Sequence, residues 1–213
     1  ELGLDPGVFA IGIVGRLRPE KAHDVLLRAV AELTQGDDRV ATPVQLCIVG
    51  DGPRRAELEA LVDELGIGVN VAWAGERQDA ATLAAAFDAA VICSHWEGLP
   101  LAALEAMAAG VPLVASRVGG LPTLLEGDAG LLAAPGDPST FAAALRILIE
   151  NPVRRAAVAA TGRTRIESTY SFASMVSHVE GIYDEVLAAH AARSAHHRRP
   201  AAHAPDQHAQ DAA

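Results

Sequence analysis

Short apolar runs alternate along the chain with longer stretches in which Leu and Ala recur at helical spacing. The runs, residues 8–14, 44–49, 69–74, 89–93 and 112–115, are rich in Val and Ile. They read as strands buried on both faces, as in a parallel sheet. Between them, residues 24–33, 54–65, 80–87 and 101–109 predict helices, and Val25, Leu26, Ala29, Val30 and Leu33 make one apolar stripe. Gly15, Gly50 and Gly75 follow three of the runs, where a strand must turn sharply. This alternation predicts an α/β domain built on a doubly wound parallel sheet with right-handed crossovers.

After Asp137 the pattern becomes purely helical. Residues 138–149 and 152–166 each open with Pro, whose missing N–H is harmless in a first turn. A last helix is expected over 171–189. Residues 190–213 are rich in Ala, His, Pro, Gln and Arg without a helical stripe, so the chain divides into a domain over 1–189 and a disordered low-complexity tail over 190–213. Five of the eight histidines fall in that tail. Metal binding by them is one reading; a solvated tail is the preferred one, and no metal site is expected.

Composition narrows the function classes. The net charge is −10, and the tail carries three Arg against two Asp, so the body is more acidic still. Nucleic-acid binding, which needs clustered Lys and Arg, is not expected. A small anionic ligand is compatible, since two or three placed cations suffice for one. Aromatic residues are only 4% of the chain, so Ala, Val, Leu and Ile must fill the core. Cys47 and Cys93 sit inside apolar runs and read as buried thiols of a reducing compartment. No run approaches the roughly 20 residues of a membrane span, and no signal peptide is recognisable. The expected location is cytoplasmic. The chain opens on Glu1 rather than Met, as a processed product or an excised fragment would.

Ligands of an open parallel sheet bind beyond the carboxyl ends of the strands, so the turns there carry the candidate chemistry. Gly15-Arg16-Leu17-Arg18-Pro19-Glu20-Lys21 places cations on one loop after a strand. Arg supplies a planar fork and Lys a point charge, a suitable pair for a diphosphate. Alone, this would be an ordinary charged surface loop. Gly12 and Gly15 do not fit G-x-G-x-x-G, which disfavours a nicotinamide dinucleotide. The turn Gly50-Asp51-Gly52-Pro53 lets backbone approach a ligand or another loop. The run ending at Cys93 and Ser94 leads through His95, Trp96, Glu97, Gly98, Leu99 and Pro100 into the helix from Leu101. The unpaired N–H groups of that helix favour an anion in front of residues 98–101. Glu97 and Glu105, eight residues apart, would then accept hydrogen bonds from neutral hydroxyls rather than face the anion.

The stretch from Glu97 through Glu105 to Gly110 and Pro112 resembles the E-x(7)-E signature of family-4 retaining glycosyltransferases (glycosyl transferases group 1). Val14-Gly15-Arg16-Leu17 with Pro19-Glu20-Lys21 resembles that family's diphosphate loop, and residues 48–53 its second turn. Residues 114–116, 119–120, 130 and 135–137 continue the pattern, so the likeness covers about residues 8–187 in order and spacing. It departs at Thr123, where members often carry Glu, and at Ala22, where many carry Gly.

The resemblance implies the C-terminal, donor-binding half of a GT-B fold, a Rossmann-like domain. It implies that Arg16 and Lys21 hold the donor diphosphate, that Glu97 binds donor-sugar hydroxyls, and that Glu105 binds the ribose. Gly15, Gly98, Leu99, Pro100 and Leu101 would approach the diphosphate or the sugar, with Glu76 and Arg77 near the base. The activity implied is hexosyl transfer from a nucleotide-diphosphate sugar with retention at the anomeric carbon, with no cofactor and no bound metal. An N-terminal acceptor-binding domain or partner chain would complete it, and any acceptor lipid at a membrane periphery would be reached through that domain. Alternatives are a non-catalytic nucleotide-sugar-binding or scaffold module, and an epimerase-like protein of the same fold.

Overall fold

The computed structural model describes residues 2–197. Strand and helix alternate as β1 (Phe9–Val14), α1 (His23–Thr34), β2 (Val44–Val49), α2 (Arg55–Glu64), β3 (Val71–Gly75), α3 (Ala80–Leu83), β4 (Ala89–Ile92), α4 (Leu101–Ala108) and β5 (Leu113–Ser116). A short α5 (Leu121–Leu124) and a strand β6 (Leu131–Ala133) follow. Then come α6 (Pro138–Glu150), α7 (Pro152–Thr169) and α8 (Phe172–His197).

The strands form one parallel sheet in the order β3-β2-β1-β4-β5-β6. The chain builds outward from β1 through β2 to β3, then returns across β1 to start the other half at β4. This reversal opens a crevice at the carboxyl ends of β1 and β4. The fold is the expected doubly wound α/β sheet, with one strand more than the five predicted. β6 pairs Leu131, Leu132 and Ala133 with Val114, Ala115 and Ser116. Three residues are too few to show a period.

Two other expected elements are corrected. The strand expected from residue 69 begins at Val71, because Gly68–Asn70 forms a 3-10 turn whose Asn70 amide donates to the Val44 carbonyl at 2.9 Å. The helix expected over 80–87 breaks after Leu83 into the 3-10 turn Ala84–Ala86. Asp88 pulls the chain into register there: its N–H donates to the Ala10 carbonyl at 2.8 Å, and its carboxylate accepts from the Ala10 N–H at 2.9 Å.

The two sheet faces bury different residues. On one, Phe9, Ile11, Ile13, Leu46, Ile48 and Val91 pack against α1, α2 and α6. On the other, Ala10, Cys47, Ala90 and Ala115 meet Ala103, Ala106 and Met107 of α4 and Ile166 of α7. Small residues on the second face let helices lie close, which answers the scarcity of aromatics. α6 and α7 start as their sequences predict, with Pro in the first turn. Asp137 accepts from the Ser139 N–H at 3.0 Å, and Asn151 from the Arg154 N–H at 2.9 Å.

At the β3 edge the register slips between Ile48 and Val49, which pair with Trp73 and Gly75. The Arg55 guanidinium lies 4.2 Å from the centre of the Trp73 ring and also bonds Glu59 at 2.5 Å.

The chain divides into two compact units, one ending at Tyr170 and the other beginning at Ser171. The second contains α8, which runs to His197 rather than ending at 189. Its extension is rich in Ala, a strong helix former. The rest of the segment expected to be disordered, 198–213, lies outside the described residues. Among the described residues no helix is long and apolar enough to cross a membrane.

Candidate functional site

β1 ends at Val14, and the loop after it turns back over the sheet before α1. Pro19–Lys21 forms a 3-10 turn, closed by Ala22 N–H to the Pro19 carbonyl at 3.1 Å. Ala22 takes φ 49° and ψ 41°, the left-handed region that L side chains rarely occupy. The family resemblance favours Gly here, and this geometry is the reason. The turn carries Lys21 toward the carboxyl end of β4.

From β4 the chain passes through Cys93, Ser94 and Glu97 into α4. Glu97 is the hub of that loop. Its Oε1 accepts from Lys21 Nζ at 2.5 Å and from Ser94 Oγ at 2.7 Å, and its side chain is 10% exposed. Lys21 and Glu97 lie 76 residues apart in sequence and meet because β1 and β4 are neighbours. Both donors take one oxygen, which orients the carboxylate and leaves Oε2 for another donor.

The loop is clamped from both sides. The His95 N–H donates to the Glu20 carbonyl at 2.8 Å, and the Gly120 N–H to the Gly98 carbonyl at 2.9 Å. Gly119, at φ 53°, lies so close beneath it that a Cβ would fall 1.8 Å from the Glu97 carbonyl oxygen. Only glycine fits there. Across the sheet Gly50 plays the same part at φ 138°, where a Cβ would stand 2.0 Å from the Gly15 carbonyl oxygen.

Two cavities flank the end of β1 and share Val14 and Gly15. One, of about 550 Å³, lies over β2 and β3 and is lined by Arg16, Asp51, Gly52, Glu76 and Arg77. The other, of about 260 Å³, lies over β4 and is lined by Lys21, His23, Ser94, Glu97, Pro100 and Leu101. Together they form a basin sized for a small ligand. Cations stand on its β1 side, and the uncapped start of α4 closes the β4 side. Arg16 is exposed and forms no ion pair among the described residues.

The expected site residues therefore separate. Gly15, Arg16, Glu76 and Arg77 line the larger cavity, and Gly15, Lys21, Glu97, Pro100 and Leu101 the smaller. Gly98, Leu99 and Glu105 line neither, although Glu105 lies half-buried on α4. Arg77 is bidentate to Asp79 at 2.8 Å, and this pairing holds the Asp79 carboxyl down at about 2. Thr123, at the point of departure from the family pattern, is exposed and lines neither cavity; its carbonyl accepts from Arg165 at 2.6 Å.

Sequence reasoning missed two residues of the smaller cavity. Ser94 could have been found as a hydroxyl at a strand end three residues before Glu97. His23 could not. It is 1% exposed, neither ring nitrogen has a hydrogen-bond partner, and its proton affinity is pushed down to about 4. Burial is the main cause and the nearby Arg54 the second. His23 is therefore neutral at pH 7, a sealed polar group in the floor of the site.

The family model of Glycosyl transferases group 1 matches residues 9–151, from β1 through α6. The chain belongs to that family. It is 36% identical over 193 residues to D-inositol 3-phosphate glycosyltransferase of Corynebacterium kroppenstedtii, covering 88% of this chain and 43% of that protein. The chain thus spans under half the length of the curated relatives it matches. Among solved structures it is similar to Anabaena HepE in complex with UDP, with TM-score 0.76 and 25% identity, covering 84% of this chain and 49% of HepE. HepE is also known in complex with UDP-glucose. A further similarity is to the C-terminal domain of the group 1 protein LpcC of Francisella tularensis, with TM-score 0.67 and 28% identity. There the match covers 78% of this chain and 88% of the other, so a comparable half of this family stands as a folded unit.

Proposed function

We propose that this chain is the donor-binding part of a glycosyltransferase that moves a hexose from a nucleotide-diphosphate sugar with retention at the anomeric carbon. The observation that carries this reading is the Glu97 carboxylate, held by Lys21 and Ser94 in the wall of the smaller cavity, with Oε2 free of any donor among the described residues. A diphosphate fits between Lys21, Arg16 and the start of α4, and a sugar hydroxyl fits on Oε2. When the bond from the anomeric carbon to the β-phosphate oxygen breaks, its electron pair goes to the phosphate. Lys21 and Arg16 then stabilise the growing charge more than they stabilise the intact donor. The larger cavity, with Glu76 and Asp51, takes the nucleoside; Glu105, outside both cavity linings, is assigned the ribose on the family resemblance alone. Uridine is the favoured base, on the strength of HepE. Acceptor and water exclusion fall to a separate N-terminal domain or chain.

Titration calorimetry of the chain with UDP, GDP, ADP and their glucose conjugates tests this. We expect one uridine ligand to bind. Lys21→Met should weaken it by tenfold or more, on the order of the 1.5–3 kcal/mol of a charged hydrogen bond, and Glu105→Ala should weaken it by a smaller factor. Absence of binding by any nucleotide would overturn the proposal, as would vigorous sugar transfer by this chain alone.

A further inference from the structure

A third cavity, of about 620 Å³, is left unused by the donor reading. Its walls are Glu20, Asp24, Arg54, Glu57, His95 and Trp96. Two of these residues are the immediate chain neighbours of donor-site residues: Glu20 precedes Lys21, and Trp96 precedes Glu97. The two cavities are thus lined by alternate residues of the same two loops, and the Glu20 carbonyl accepting from the His95 N–H at 2.8 Å ties those loops together.

Trp96 is 67% exposed, yet it does not sit on a loose loop. The hydrogen bonds of His95 to Glu20 and of Gly120 to Gly98 fix the segment on either side of it. Its backbone is therefore set before any ligand arrives, which lowers the ordering cost of binding to the exposed indole face. The opposite wall is equally set. Arg54 bonds Asp24 at 2.7 Å and Glu57 at 3.0 and 2.5 Å, and its own side chain is 15% exposed. Arg54 thus orients the Asp24 and Glu57 carboxylates, whose oxygens keep lone pairs for further donors, in the same cleft as Trp96.

We propose that the Trp96 cleft is a binding site for a neutral saccharide, stacked on the indole with its hydroxyls donating to Glu20, Asp24 and Glu57. Ring C–H groups suit the indole face, and neutral hydroxyls suit acceptors that cannot donate. Charge excludes the obvious rival: three carboxylates against one guanidinium give the lining a net negative charge, which repels a phosphorylated polyol. Because Trp96 directly precedes the carboxylate assigned to the donor sugar, we place its occupant on the acceptor side, as a supplement to the separate acceptor-binding domain. That last role rests on the donor reading; saccharide binding does not.

Saturation-transfer NMR on the full chain, with maltose and D-inositol 3-phosphate as separate probes, decides the matter. We expect transfer to maltose ring protons, kept in Trp96→Phe and about tenfold weaker in Trp96→Ala, with no transfer to the phosphate ester. Parallel UDP titration of Trp96→Ala should match the unsubstituted chain, because Trp96 lines neither donor cavity. No transfer to maltose, equal transfer in Trp96→Ala, or stronger binding of the phosphate ester would each overturn the proposal. Maltose binding without UDP binding would uphold the cleft as a saccharide site and remove its acceptor role.

Discussion

The clamp under the Glu97 loop makes Gly119→Ala a two-part perturbation. At φ 53° any side chain carries a conformational cost of about 1 kcal/mol. The second part is steric. A Cβ 1.8 Å from the Glu97 carbonyl oxygen must move out by more than an ångström before the contact becomes ordinary, and backbone, not a flexible side-chain tip, has to give. Forced repacking of this kind costs roughly 1–3 kcal/mol, so the total is about 2–4 kcal/mol. Gly127→Ala supplies the control: it shares a positive φ, 68°, but a Cβ there meets nothing within 4 Å. It should lose only the conformational part. Urea unfolding of both variants isolates the clash as their difference, expected at roughly 1–3 kcal/mol. The displaced loop also carries Glu97, so nucleotide-sugar affinity should fall in Gly119→Ala and hold in Gly127→Ala. Equal stability of the two variants, with equal affinity, would refute the argument.

Two further outcomes follow from the same loops. His23 has its proton affinity lowered from 6.5 to about 4 by folding, so the unfolded chain binds the extra proton between those pH values. Stability is then full above pH 6.5 and falls by up to roughly 3 kcal/mol as pH drops toward 4; His23→Leu should flatten that slope in urea titrations at several pH values and leave the empty protein no less stable at pH 7. Ala22→Gly sets relief of a left-handed alanine, about 1 kcal/mol, against loss of a fully buried methyl of similar worth. It should change the urea midpoint by little, and a gain above about 1 kcal/mol would show that strain dominates at this turn.

Much of the sheet was legible because buried parallel strands advertise themselves as continuous apolar runs. β2 occupies the run from Val44 to Val49 to the residue. What escaped was decided by partners remote in sequence. β6 is a strand only because β5 offers it an edge, and the stretch before β4 leaves the helix because Asp88 has Ala10 to bond. The site divides the same way. Arg16, Lys21 and Glu97 could be singled out by residue type and by position at strand ends, and the fold brings the last two together. Which oxygen of Glu97 is occupied, and that Ser94 occupies it, depends on a contact across the loop that spacing does not encode. His23 was invisible for a different reason. It lies at the start of an apolar helix face, and nothing local tells a satisfied core histidine from an unsatisfied one.

The slipped register at β3 and the Arg55 side chain over Trp73 bear on what the two borders of the sheet expose. An open sheet has two rows of unpaired backbone groups, and each is a template on which another chain can add a strand. Here one border strand is three residues long. The other is bent by its bulge and overlaid by a cation on its largest apolar ring. Neither border offers a long, flat, greasy ladder. The sheet therefore resists edge-to-edge aggregation through the build of its own border strands.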